Sequence, residues 1–542
     1  MLKRPTLSIL AVLALLTDVH VTGQAFPPGY VDPRPLLDAA AKAIGTDNLR
    51  CLTISGTAYA GAVGQQREAA WNVDWPRVDS LANYTRTMNW DARTMTEEFD
   101  RKPGLNPAAW KYGTGWIDGP LQQHLRQTHV VSDKHAWHVD GPNGTPVAVH
   151  PELAEIYQLE MWLNPQGFLK AARLPGANPK ATWRWELGEM GRDGPEVNPG
   201  KVHVISIMFN GKYRIDATIN AQNMLQRIHT WVANPVLGDM NYEHEFTNDS
   251  YVDAGNGVKF PTGWHSHQGW DDNFGGQNVS AGHNAFGGAL KNVRAHECSP
   301  PPAVPASVRT ATFPVRVETQ KLADGVYLLG GGTHNSIAVE FRDRIAVYEA
   351  PLDEERSLAV IETITKLIPN KPIRWVINSH QHFDHAGGLR GYMHIGATII
   401  TQWKNWDFYN RDFLTYAQRT VKPDMVSLWP PTELSEGYYF ETVRENYVIS
   451  DGTRNLQIHY VNPLTHVEGM LIAYLPKEKL LFEADLFDTD RERPAKPTRD
   501  HTSFFNAVRK IGLEVDQIVP VHGKPVPWSE FAALFRQGGT GR

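Results

Sequence analysis

The run Ile373-Arg374-Trp375-Val376-Ile377 is nearly all apolar, and it constrains the fold more than any other stretch. A strand apolar on both sides belongs at the centre of a sheet covered on two faces, which argues for a layered α/β domain. Directly after it comes Asn378-Ser379-His380-Gln381-His382-Phe383-Asp384-His385-Ala386-Gly387-Gly388. Four ligand-type side chains thus fall within six residues at the exit of a buried strand. His380 and His382 are two apart, so an extended backbone points them the same way. Asp384 and His385 follow where Ala386-Gly387-Gly388 lets the chain turn tightly. Such a loop can present ligands to two neighbouring metal ions, because imidazole and carboxylate are the usual donors for borderline divalent cations.

The flanking patterns fit an α/β frame. Gly325–Leu329, Ser336–Phe341 and Arg344–Tyr348 read as strands, and Ser357–Ile368 has helical spacing with Leu358, Ile361, Ile364, Leu367 and Ile368 apolar. The H-x-H-x-D-H run with this setting resembles the metallo-β-lactamase fold, over about residues 315–542. The resemblance implies an αββα sandwich. Three later positions match its remaining ligands: His466 in Leu464-Thr465-His466-Val467-Glu468-Gly469, Asp485 after the apolar Leu480-Leu481-Phe482, and His522 in Pro520-Val521-His522-Gly523. It then implies two metal sites. His380, His382 and His466 hold the first, Asp384, His385 and His522 hold the second, and Asp485 bridges them. A donor set without thiolate suits two Zn²⁺ per chain, with Fe or Mn as alternatives. Paired metals make hydroxide available at neutral pH, and Asp384 is placed to orient it and carry its proton.

The implied activity is hydrolysis of an ester, lactone or related acyl bond in a small-molecule substrate. The bridging Asp485 resembles the glyoxalase II, lactonase and phosphodiesterase groups, and metallo-β-lactamases proper lack that bridge. Flavo-diiron oxygen reductases usually carry Glu where His382 stands. Only twenty residues follow His522, too few for the helical domain of glyoxalase II. Leu486, Phe487 and Asp488 stand where several lactonases have a Tyr. Alkylsulfatases of this fold carry an Asn in the first motif and extra domains after it, and neither matches. The alternatives are an amide hydrolase of the β-lactamase type, a phosphodiesterase, an iron-dependent dioxygenase, and a ligand carrier with a structural metal. His334 and Asn335 follow a Gly-rich turn and are candidates for touching substrate. Between Thr401 and Trp429 stand Trp403, Trp406, Phe408, Tyr409, Phe413, Tyr416 and Trp429. They are read as the core of a packed helical insert, with an aromatic pocket for an apolar substrate as the other reading.

Ahead of this domain, residues 298–314 (CSPPPAVPASVRTATFP) hold five Pro and read as a linker without helix or central strand. Residues 26–297 read as mostly antiparallel β. Leu52–Thr57, Val202–Phe209, Tyr213–Ile219 and Met224–Val232 alternate apolar and polar, and Asn210-Gly211 is a hairpin turn signal. A helix is expected over 151–173, starting at Pro151. The strand run resembles the lipoprotein-sorting half-barrel. His265 and His267 in Trp264-His265-Ser266-His267-Gln268 share a strand face and are metal-ligand types, but no third ligand stands near them in sequence. A solvated or barrel-lining pair is the expectation. Asn83-Tyr84-Thr85 and Asn248-Asp249-Ser250 match glycosylation sequons, which arise often by chance.

Residues 1–25 have a signal-peptide layout: Lys3 and Arg4, the apolar Leu7–Leu16, then Gly23-Gln24-Ala25. A ten-residue apolar stretch is too short to cross a bilayer, and an N-terminal anchor is the alternative. Export to the periplasm or medium follows. In that oxidising setting the two Cys, Cys51 and Cys298, either pair or stay as buried thiols. The formal charge of −6 and pI near 6.4 argue against a nucleic-acid partner. Nothing later in the chain approaches a membrane span.

Overall fold

The structure is a computed structural model that describes residues 26–69, 75–103, 125–186, 200–247, 250–269, 286–410, 419–430, 439–491, 493–494 and 496–536. The expected signal segment, Phe413, Tyr416 and Asn248-Asp249 lie outside these residues.

The period-2 runs of the front half form one antiparallel sheet of fourteen strands. In spatial order it begins with Tyr30–Val31, Lys180–Glu186, Gly200–Phe209, Tyr213–Ile219, Leu225–Asn234, Gly238–Phe246 and Gly263–Gly269. It continues through Phe286–His296, Cys51–Gly61, Arg77–Asn89, Thr94–Pro103, Leu125–Ser132, His135–Asp140 and Val147–Ala148. At Asn210-Gly211 both residues take left-handed backbone, with φ +51° and +66°. Lys212 N–H closes that turn on the Phe209 carbonyl at 3.1 Å. One face of the sheet is apolar (Ile54, Ile205, Ile207, Ile215, Ile228) and packs with Leu37, Ile44, Leu159, Phe168 and Leu169 from short helices.

Two sequence expectations change here. The helix expected over 151–173 is two helices, Pro151–Glu160 and Pro165–Ala171. Pro165 cannot donate the next helical hydrogen bond, and Asn164 restarts the helix by accepting from Gly167 N–H at 2.9 Å. The Pro-rich stretch contains a helical turn, Ala306–Arg309, because Pro305 sits ahead of the turn, where its missing donor costs nothing. Val308 in that turn is buried with Val130 and Trp137. Cys51 and Cys298 are joined by a disulfide.

The back half is an αββα sandwich. A seven-stranded sheet runs Glu318–Ala323, Val326–Gly330, Ser336–Glu340, Ile345–Tyr348, Ile373–Ile377, Thr398–Gln402, Phe440–Val443. A six-stranded sheet runs Asn446–Ser450, Asn455–Val461, Met470–Leu475, Leu480–Glu483, Gln517–Pro520, Val526–Pro527. Between them lie Val326, Ile337, Val339, Tyr348 and Ile377 against Ile458, Leu471, Ala473, Phe482 and Val519. Helix Glu354–Leu367, capped by Asp353, covers one outer face, and Arg499–Ile511 covers the other. The two halves share a core: Trp75 packs edge-on against Phe383 with ring centroids 5.8 Å apart.

Candidate metal centre

The apolar strand Ile373–Ile377 delivers the H-x-H-x-D-H loop to the rim between the two sheets. Strands of the six-stranded sheet deliver the rest: His466 ahead of Met470–Leu475, Asp485 after Leu480–Glu483, and His522 after Gln517–Pro520. His380, His382, His385 and His466 are almost fully buried.

These seven side chains converge as two clusters. His380, His382, His466 and Asp485 bring their donor atoms within 4.8 Å of one another, and so do Asp384, His385 and His522 together with His334. Asp485 joins the clusters. Its Oδ2 lies 2.9 Å from His466 Nε2 and 3.5 Å from His380 Nε2. Its Oδ1 lies 3.0 Å from His522 Nε2 and 3.2 Å from His385 Nε2. His380 Nε2 and His466 Nε2 are 3.3 Å apart. Metal–ligand bonds of about 2.0–2.1 Å at a tetrahedral angle put donors roughly 3.4 Å apart, so these spacings suit a zinc-sized ion. The donor set fits too, because His382 Nδ1 is buried with no hydrogen-bond partner among the described residues.

Electrostatics point the same way. Burial alone would push the His385 imidazole down, but Asp485, Asp384 and Glu349 raise it well above its ordinary range. Burial also opposes His522, and Asp485 overrides it to give about 9. The carboxylates therefore call for positive charge at the place where the imidazoles converge. Asp384 is raised by burial but held well below its usual range by His385 and His334. His380 is pushed down to about 3, chiefly by burial and then by His385.

A ring of further groups aims the ligands. Glu349, at the end of strand Ile345–Tyr348, takes left-handed backbone (φ +73°) and is fully buried. Its Oε2 lies 2.6 Å from His385 Nδ1, and its Oε1 accepts from Ser379 N–H at 2.6 Å. Asp500 Oδ2 accepts from His466 N–H at 3.1 Å. The Thr333 carbonyl lies 3.2 Å from His522 Nδ1. Asp485 itself takes left-handed backbone (φ +59°). Next to it, Glu483 Oε2 accepts from Leu486 and Phe487 N–H at 2.9 and 3.1 Å, fixing the bend.

The front half reaches this site. The segment Ala62–Arg67, between strands Cys51–Gly61 and Arg77–Asn89, lies against the ligand loop. Gln65 Nε2 donates to Asp384 Oδ1 at 2.7 Å. The Gln66 carbonyl accepts from Gln381 Nε2 at 3.0 Å and lies 3.1 Å from His382 Nε2. Phe383 N–H donates to the Gly64 carbonyl at 3.2 Å. A Cβ on Gly64 would stand 2.2 Å from the Phe383 ring, so only glycine permits this approach.

His334 sits beside the second cluster, its Nε2 3.3 Å from Asp384 Oδ2, and burial, then His522, lowers it to about 4. Asn335 instead supports the frame, donating to the carbonyls of Pro520 and Gly523 at 3.1 and 2.7 Å. Of the aromatic insert, Phe408 and Tyr409 are core, and Tyr409 Oη donates to Asn378 Oδ1 behind the ligand loop. Trp403 and Trp429 are exposed. Glu349, Gln65, Gln66 and Asp500 were not among the expected site residues. Glu349 had one local signal, an acid closing an apolar strand, and the other three had none.

Residues 329–522 match the model of the metallo-beta-lactamase superfamily. A linear primary-alkylsulfatase of Pseudomonas sp. is 33% identical over 72 residues, 13% of this chain and 11% of the relative. The 2,4-dinitroanisole O-demethylase subunit alpha of Nocardioides sp. is 23% identical over 228 residues, 41% of this chain and 61% of the relative. The chain thus spans less than two thirds of either curated relative. Among solved structures, a metallo-beta-lactamase from Pontibacter korlensis aligns at TM-score 0.32 and 14% identity, over 42% of this chain and 100% of that one. The flavodiiron protein of Giardia intestinalis aligns at 0.31 and 17%, over 42% and 59%. The family-model match at 329–522 takes in both clusters and makes that span a metallo-beta-lactamase superfamily domain.

Proposed function

We propose that this protein is an exported, dinuclear zinc-dependent hydrolase that cleaves an ester, lactone or related acyl bond of a small molecule. The observation that carries the reading is Asp485, whose two carboxylate oxygens each face a separate imidazole cluster. A structural zinc needs only four closed ligands, and seven across two clusters is the provision for chemistry. Two zinc ions held there would supply hydroxide at neutral pH and polarise the scissile group. The chain's own residues do the rest. Asp384, anchored through Oδ1 by Gln65, keeps Oδ2 at the second cluster, where it can accept a proton and pass it to the leaving group. His334, neutral at pH 7, has Nδ1 2.8 Å from Thr333 Oγ1 and Nε2 3.3 Å from Asp384 Oδ2; in the tautomer with its proton on Nε2 it holds that carboxylate or a substrate oxygen. The Cys51–Cys298 disulfide and the signal-peptide layout support export.

The test is the zinc-loaded full-length mature chain on a panel of lactones, aryl esters, thioesters, phosphodiesters, a sulfate ester and a chromogenic β-lactam. The expected result is turnover of an ester or lactone that Asp384→Ala abolishes. No turnover on any substrate with two zinc ions bound overturns the reading, and one iron with oxygen consumption would replace it by the dioxygenase.

A further inference from the structure

We propose that the front-half sheet carries a third, separate metal site for a divalent transition-metal ion such as Zn²⁺, held by Glu245, His265 and His267. The two His stand two residues apart, with no third ligand near them in sequence. Strand pairing supplies it from twenty residues away. In the register of Gly238–Phe246 against Gly263–Gly269, Glu245 stands directly opposite His265, and Glu243 opposite His267. Cross-strand pairs in register project from the same face of a sheet. This face is the one turned away from the apolar core, since the alternate residues Trp264 and Ser266 are buried.

Both imidazoles aim the same atom at one carboxylate oxygen. His265 Nε2 is 3.0 Å and His267 Nε2 is 3.6 Å from Glu245 Oε2, and the two rings are 4.7 Å apart. These distances straddle the roughly 3.4 Å expected between donors around tetrahedral zinc. An ordinary His–Glu ion pair needs one imidazole, and here a second is brought to the same oxygen and largely buried. Arg227, opposite Glu245 on the other neighbouring strand, is hydrogen-bonded to both carboxylate oxygens of Glu186. Two imidazoles and one carboxylate with a fourth position open is the donor set of zinc sites that keep a water or take a ligand oxygen. The triad shares no residue with the clusters around Asp485.

Zinc per chain, measured by elemental analysis after chelator stripping and reloading of the full-length mature protein, tests this. The double variant His265→Ala/His267→Ala is expected to hold one zinc fewer than the parent. The isosteric Glu245→Gln, which preserves packing, is expected to bind that zinc at least tenfold more weakly in chelator competition. Asp485→Asn, which disrupts the other clusters, is expected to keep it. A double variant with the parent's zinc content, or Glu245→Gln with the parent's full set of affinities, overturns the proposal.

Discussion

Gln65 is the most informative single position, because it tests whether the front half is part of the catalytic apparatus. Its side chain is buried and donates to Asp384 Oδ1 at 2.7 Å. A hydrogen bond to a charged group contributes about 1.5–3 kcal/mol, and about 1.4 kcal/mol is tenfold in an equilibrium. Gln65→Ala should therefore weaken the metal held by Asp384, His385 and His522 by roughly 10- to 100-fold, the range typical for partners that orient ligands. Its kcat should fall similarly. The ion at His380, His382 and His466 should change less, since Gln66 reaches His382 through its backbone carbonyl. Chelator competition at pH 7.5 resolves the two affinities without any substrate, and a melting curve checks the fold. Gln65→Glu keeps the volume but sets an acceptor against Asp384. Equal losses in both variants assign the effect to the hydrogen bond rather than to a cavity. If both variants keep parental metal affinities and kcat within twofold, the segment Ala62–Arg67 is merely adjacent to the site.

Glu349→Gln can satisfy only one of Ser379 N–H and His385 Nδ1–H as before, so metal affinity at the second cluster should drop roughly 10- to 100-fold in chelator competition. Asp424 is raised by burial but held at about 2 by Arg390 and Arg419, below its unfolded value. It therefore stabilises the fold above about pH 4 and loses this as pH falls through 2. Asp424→Asn should cost about 2 kcal/mol in denaturant unfolding at pH 7, and the gap should close in acid. Replacing Cys51 and Cys298 by Ser opens a crosslink spanning 247 residues and should lower unfolding stability by about 2–5 kcal/mol. An unchanged midpoint would show the disulfide is dispensable.

What the sequence disclosed and what it withheld divide along the distance between interacting residues. The ligand loop was legible because its geometry is local: a strand apolar on both sides, two His sharing one direction, and a turn that brings Asp384 and His385 back. His466, Asp485 and His522 were legible only through family resemblance, because each lies at its own strand end and their meeting depends on strand order. The helix expected over 151–173 failed at Asn164-Pro165, where a local breaker outweighed a continuous apolar period. Glu245 and Gln65 could not be read at all. Strand register alone sets Glu245 against His265, and Gln65 meets Asp384 from 319 residues away. Neither residue carries a pattern of its own, and both acquire a role from a neighbour that only the folded sheet supplies. Residues 26–297, which on composition and pattern alone are an extra β domain, reach the candidate site, among the described residues, through the Trp75 ring on Phe383 and the short loop Ala62–Arg67. Gly64 lets that loop approach closely enough for Gln65 to hold the carboxylate on which the proposed proton transfer depends.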